Sequence, residues 1–116
     1  MERDEQVVQA VARALFDDNA IRYQQALTKP VNSDADVYGR ARNALASLTK
    51  AQQQDVLRFI QLAMADSASV IFGMLDGSHF PQGIDGDFAV HYQDDEIQGS
   101  LQDIWIEQAE QRGIYR

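Results

Sequence analysis

Apolar positions in the first quarter of the chain recur at intervals of three and four residues. Val8, Val11, Leu15, Asn19, Tyr23 and Ala26 follow this spacing, and Val7, Phe16 and Leu27 widen the stripe. A period near 3.6 predicts an amphipathic helix with one face turned to a core. Asn19 is the one polar member. The segment "FDDNA" at Phe16 to Ala20 predicts a bend or split, because Asp and Asn side chains compete with helical backbone bonds. Lys29-Pro30 ends the helix, since the residue before proline avoids the helical region. "VNSDAD" then reads as a loop, with Ser33 or Asp34 as the N-cap of the next helix.

The second helix is predicted from about Ala35 to Leu48. Val37, Ala41, Leu45 and Leu48 line one face, Tyr38 flanks it, and Gly39 weakens it. "TKAQ" at Thr49 to Gln52 matches a capping box, in which the Thr hydroxyl and the Gln amide each satisfy the other's backbone N–H. A third helix follows. Val56, Ile60, Ala63, Ser67, Val70 and Met74 keep the helical period, with Phe59, Ile71 and Leu75 beside them. It reads as one helix to Leu75 or as two joined near Asp66-Ser67. Its second half is apolar nearly all round, which predicts central burial. Gly77 fits the left-handed residue that closes such a helix.

Residues 77–86 read as loop. "DFAVHYQ" alternates Phe88, Val90 and Tyr92 against Ala89, His91 and Gln93, which is a strand pattern. Its partner is either "SHF" in a short hairpin or a second copy of the chain. "GSLQD" opens the last helix, with Ser100 as N-cap and Asp103 at N3. Leu101, Ile104, Trp105 and Gln108 form its inner face. Gly113 closes it, and Ile114 and Tyr115 fold back over the end. The pattern as a whole predicts a mainly α fold. It has four to five helices and one short β-strand or hairpin before the C-terminal helix. All 116 residues form one domain.

Composition narrows the function. The chain is 45% hydrophobic and 24% charged and holds no cysteine. Disulfides and thiolate metal sites are excluded, and a cytoplasmic location is the expectation. "MERDEQVVQAVARALF" is charged from its second residue and lacks the apolar core of a signal peptide. No apolar run approaches the length of a membrane span, the longest being Ser69 to Leu75.

The net charge of −8 is unevenly spread. Met1 to Leu75 holds eight Lys/Arg against nine Asp/Glu, whereas Asp76 to Arg116 holds two against nine. The 53 residues from Phe59 to Gln111 contain no Lys or Arg. Such a field repels nucleic acid and anionic membrane and speeds encounter with basic proteins. The one basic cluster, Arg40, Arg42 and Lys50, reads as balancing Asp34, Asp36 and Asp55.

Candidate chemistry concentrates in Met74 to Glu96, "MLDGSHFPQGIDGDFAVHYQDDE", which carries six acidic residues and both histidines. A calcium loop from Asp94 would need a bidentate Glu at its twelfth position and has Trp105. A metal-dependent enzyme or regulator would use His79, His91 and Asp76, but their spacing does not demand convergence. No nucleophile motif, phosphate loop or dinucleotide fingerprint is present. A solvated connection between two helices accounts for much of this segment. A binding face accounts for more of it: two acidic loops held rigidly, with Phe80, Tyr92 and Trp105 as aromatic anchors.

The layout "IFGMLDGS…GDFAVHY…GSLQDIWIEQAE" over Ile71 to Glu110, with the size, acidity, helicity and lack of cysteine, resembles the small acidic immunity proteins of bacterial toxin–immunity pairs. The resemblance implies a stoichiometric inhibitor with no catalysis and no cofactor, whose partner is a basic protein toxin. Immunity proteins share no motif, so it assigns no residue. The charge pattern selects Asp85, Asp87, Asp94, Asp95 and Glu96, with Tyr92 as central aromatic. A scaffold subunit forming homo-oligomers through an edge strand at Asp87 to Gln93 is the alternative.

Overall fold

In a computed structural model, which describes residues 1–32 and 35–116, the helical period of the N-terminal quarter becomes one long rod. α1 (Arg3–Ala12) runs without a break into a π-helical stretch (Arg13–Asn19) and then α2 (Ala20–Leu27). The irregularity falls where "FDDNA" predicts it, but the axis widens instead of splitting. The buried residues of this rod are Val8, Ala12, Phe16 and Ala20. Their four-residue spacing drifts off one face of a 3.6-residue helix and fits the wider π turn. The stripe through Val11, Leu15, Asn19 and Tyr23 is only half-buried beside them.

α3 (Val37–Ala46) packs on α2. Its N-cap is Asp36, whose carboxylate accepts the Gly39 N–H at 2.7 Å; the expected caps Ser33 and Asp34 lie outside the described residues. Among the described residues Arg42 makes no ion pair. It is buried, and its Nε–H donates to the Ala26 carbonyl at 2.8 Å, tying α3 to the end of α2.

α4 (Lys50–Asp76) is one unbroken helix of 27 residues, about 40 Å long. The capping box forms in both directions: Gln52 N–H donates to Thr49 Oγ1 and Thr49 N–H to Gln52 Oε1. Gly77 closes the helix with φ +81°. The buried face differs from the expected one. Leu57, Ala65, Ala68, Phe72 and Gly73 point into the protein, whereas Val56, Phe59, Ala63, Ser67, Val70 and Ile71 are exposed. The all-round apolarity of the second half therefore marks two different surfaces, only one of which is covered. By length and composition α4 could also cross a membrane. Its most apolar window has a mean hydropathy of 1.4, with 28% of that window buried in the fold.

α5 (Leu101–Gln111) lies between α1 and α4 and packs on both. Leu101, Trp105 and Ala109 form its buried edge. Trp105 is completely buried. Its ring stacks on Phe16 (centroids 5.4 Å apart, 23° between planes) and tilts against Phe72 (5.6 Å). Its indole N–H donates to the Ala65 carbonyl at 2.9 Å. Trp105 is thus the centre of the core and not an anchor for a partner. Ser100 occupies the N-cap position of α5, yet its side chain makes no cap bond. Asp76 supplies the cap from the end of α4. Its two carboxylate oxygens accept the N–H groups of Gly99 (2.7 Å), Leu101 (3.1 Å) and Gln102 (2.8 Å). The Gln102 amide reaches back to the Ser69 carbonyl at 2.9 Å. At the other end Gly113 turns at φ +73° and Ile114 folds back onto the core as expected, whereas Tyr115, expected to join it, stays exposed. Arg112 closes the same end by bonding both oxygens of Asp17 (2.7 and 3.2 Å).

Two stability predictions follow from these ties. Asp76→Ala strips two N–H groups of the first turn of α5, and that of Gly99 before it, of their acceptor and should destabilise by about 1–2 kcal/mol in urea titrations. Trp105→Phe keeps most of the ring but loses its N–H, and should cost about 1–2 kcal/mol. The hydrogen bonds from Arg112 hold the Asp17 carboxyl below its ordinary value, helped by the charges of Arg112 and Arg13 against an opposing desolvation. A depressed carboxyl stabilises the fold above its unfolded pKa and loses that contribution as pH falls through the folded value. Asp17→Asn should therefore lower stability at neutral pH and flatten the acid limb of a melting-temperature-against-pH curve; an unchanged acid limb would show the pair to be idle.

Candidate functional site

The acidic segment is organised by a small hairpin. β1 (His91–Tyr92) pairs antiparallel with β2 (Asp95–Glu96), with Tyr92 opposite Asp95 and His91 opposite Glu96. Within the chain the strand partner is thus not "SHF" but the residues just after the turn. Gln93 and Asp94 make that turn with φ +50° and +69°. Two consecutive left-handed residues match the twist of the paired strands. Asp tolerates this region; Gln does not favour it. Gln93 is held by its side chain: Arg3 donates to its Oε1, and its Nε2–H donates to the Tyr92 hydroxyl at 3.3 Å.

Of the strand expected over "DFAVHYQ" only His91 and Tyr92 form, and the alternation holds for Val90 and Tyr92 but not for Phe88, which is exposed. Val90 and Tyr92 are half-buried, and Ala89, His91 and Gln93 are exposed. The Ile97 N–H donates to the Val90 carbonyl at 2.8 Å, and the Val90 N–H donates to Gln98 Oε1 at 2.9 Å. Ile97 is buried in the core. It pins the hairpin so that Asp94, Asp95 and Glu96, all exposed, project to solvent.

Arg3 ties the hairpin to α1. Its guanidinium pairs with Asp95 at 2.5 Å and lies 5.9 Å from the centre of the Tyr92 ring. Tyr92 is thereby held against α1, where it lines an apolar groove with Val7, Ala10, Val11 and Ala14. Among the described residues the ion pairs are Arg3–Asp95 and Arg112–Asp17.

Two open clefts meet at Glu96. One, of about 390 Å³, is lined by Glu2, Arg3, Asp4, Asp95, Glu96, Ile97, Gln98 and Ser100. The other, of about 420 Å³, is lined by Leu75, Asp76, Gly77, Asp87, Phe88, Ala89, Glu96, Gln98 and Gly99. Of the residues selected by sequence, Asp95, Glu96 and Asp87 come together on this surface. Asp94 stands at the hairpin tip, Tyr92 faces the groove on α1, and Asp85 lies exposed in the preceding loop, outside both clefts. The fold adds Glu2, Asp4 and Phe88. The acidic opening "MERDE" signalled the first two, but nothing local in the sequence places that turn beside the hairpin. His79 and His91 are both exposed, and no three or more His, Asp or Glu among the described residues are grouped to hold a metal ion.

Comparison with protein-family models, curated proteins and solved structures finds no match to this chain.

Arg3→Ala should leave global stability within about 1 kcal/mol, because the ion pair is largely solvent-exposed. It should release the hairpin instead. Hydrogen exchange of the Ile97 amide, bonded to the Val90 carbonyl, is the readout, and unaltered protection there would mean that Ile97 alone secures the hairpin.

Proposed function

We propose that this chain is a stoichiometric protein-binding inhibitor of the immunity type, which engages a basic toxin through the acidic surface around Glu96. The observation that carries this reading is the junction of two clefts at one exposed carboxylate. Glu2, Asp4, Asp87, Asp95 and Glu96 line these clefts, and Arg3 is the one cation among the lining residues. A field of one sign on a rigid support raises the encounter rate with an oppositely charged partner and sets its orientation. Phe88, on the rim of the second cleft, supplies apolar area beside the charges. The support is rigid because Ile97 and Leu101, at the root of the hairpin and the start of α5, are both in the core.

The test uses charge reversal away from Asp95, since changing Asp95 would also release Arg3. Immobilised wild-type chain should capture a basic partner from source lysate at low salt and lose it as salt rises. Asp87→Lys with Glu96→Lys should slow association with that partner by about five- to tenfold at low salt, with little effect at high salt. A partner whose on-rate ignores both substitutions would sink the acidic-face reading.

A further inference from the structure

The outer face of α4 carries a continuous apolar stripe that nothing among the described residues covers. Phe59 is 67% exposed, Val70 51%, Ile71 54% and Val56 38%, with Ala63 and Ser67 exposed between them. The Ser67 hydroxyl donates to the Ala63 carbonyl of its own helix at 2.8 Å, so it can leave water without losing its bond. The stripe is symmetric in spacing. From Ala63, Phe59 lies four residues back and Ser67 four on; Val56 and Val70 lie three further in each direction.

The molecule also has more surface than a monomer of its size. A 13.0 kDa chain is expected to expose about 6,300 Å², and this one exposes 7637 Å². Its radius of gyration is 17.2 Å, against about 13 Å for a compact domain of this length. The excess, about 1,300 Å², exceeds the roughly 800 Å² that each partner buries in a standard stable interface. Lipid is a poorer occupant than protein. Asp55 and Asp66 flank the stripe on the same helix and are exposed, and carboxylates at membrane depth are costly.

We propose that α4 is the interface of an antiparallel homodimer, with a two-fold axis passing at Ala63. In that arrangement Ala63 meets the partner's Ala63, Phe59 covers the partner's Ser67, and Val56 meets the partner's Val70. A two-fold interface requires each patch to be its own complement, and the palindromic spacing supplies this. The small residues at the centre let the helix axes approach closely, and each Phe59 fills the space above a serine. The dimer leaves the hairpin out of the interface, so the reading of the acidic surface and this one stand or fall separately.

Light scattering and sedimentation over a dilution series should give twice the 13.0 kDa chain mass. Ala63→Glu sets two like charges against each other at the axis, at a position exposed in the monomer. It should raise the dissociation constant by about a hundredfold or more with an unchanged helical circular dichroism spectrum. If that variant loses its helical signal, Val70→Lys on the same exposed stripe replaces it. The chain has no cysteine, so oxidative crosslinking reads the geometry directly. Ala63→Cys should crosslink with itself, and Val56→Cys should crosslink with Val70→Cys in a mixture but not with itself. A chain that is monomeric at every concentration overturns the proposal. So does a dimer that Ala63→Glu and Val70→Lys leave intact, or a Val56→Cys variant that links to itself as readily. Flotation of the wild-type chain with phosphatidylcholine vesicles, lost in Ala63→Glu, would assign the stripe to lipid and overturn it as well.

Discussion

The fold is organised around the indole of Trp105. A fully buried Trp must place its N–H on an acceptor or forfeit that bond's worth of stability. Here the acceptor is the Ala65 carbonyl in the middle of α4. That bond fixes the rotation of α5 about its own axis. With α5 so turned, Leu101 and Ala109 face inward on either side of the ring. The other face of the ring needs an aromatic neighbour at stacking distance, and Phe16 provides it. Phe16 sits within the π-helical stretch, and the wider turn keeps Val8, Ala12, Phe16 and Ala20 on one inner line. A regular α-helix would carry a four-residue repeat progressively off that line. The irregular helix and the buried tryptophan are two sides of one packing solution.

The acidic surface inherits its rigidity from that core. Asp76, at the end of α4, holds the start of α5 through the N–H groups of Gly99, Leu101 and Gln102. This does the work expected of Ser100 and locks the relative position of two helices that are separated by a long loop in sequence. Ile97 enters the core just before that turn, and the hairpin therefore emerges at a set angle beside the N-terminus of α1. Arg3 then fastens it from the other side. Charge that is scattered along the chain, at Glu2 and Asp4 and again at Asp87 to Glu96, is gathered by these attachments onto adjoining clefts.

α4 shows the reverse situation. One of its faces is committed to α5 by small residues, Ala65, Ala68 and Gly73, which let the helices come close. A Cβ added at Gly73 would stand 2.7 Å from the Gln102 amide nitrogen. The opposite face is also apolar but has no neighbour among the described residues. The elongated outline, 48 × 34 × 25 Å, follows from helices laid side by side rather than wrapped round a centre.

The sequence by itself determined the elements that depend on short-range chemistry. The capping box at Thr49 and Gln52, the left-handed glycines at Gly77 and Gly113, the stop before Pro30 and the disturbance at "FDDNA" are each set by residues within a few positions of one another, and each appears where its chemistry places it. The concentration of negative charge was equally legible, being a matter of composition. Tertiary structure decided which apolar face of α4 was buried, because a helix that is hydrophobic all round offers periodicity no preferred side. It decided that the α5 cap came from Asp76, since a carboxylate from a distant turn can reach three N–H groups that Ser100 does not. It decided the hairpin, because "YQDD" lacks the glycine that usually marks such a turn and relies on Arg3 and Tyr92 to hold Gln93. It also brought Glu2 and Asp4 to Glu96, because the packing of α1 on α5 joins residues that no local pattern connects.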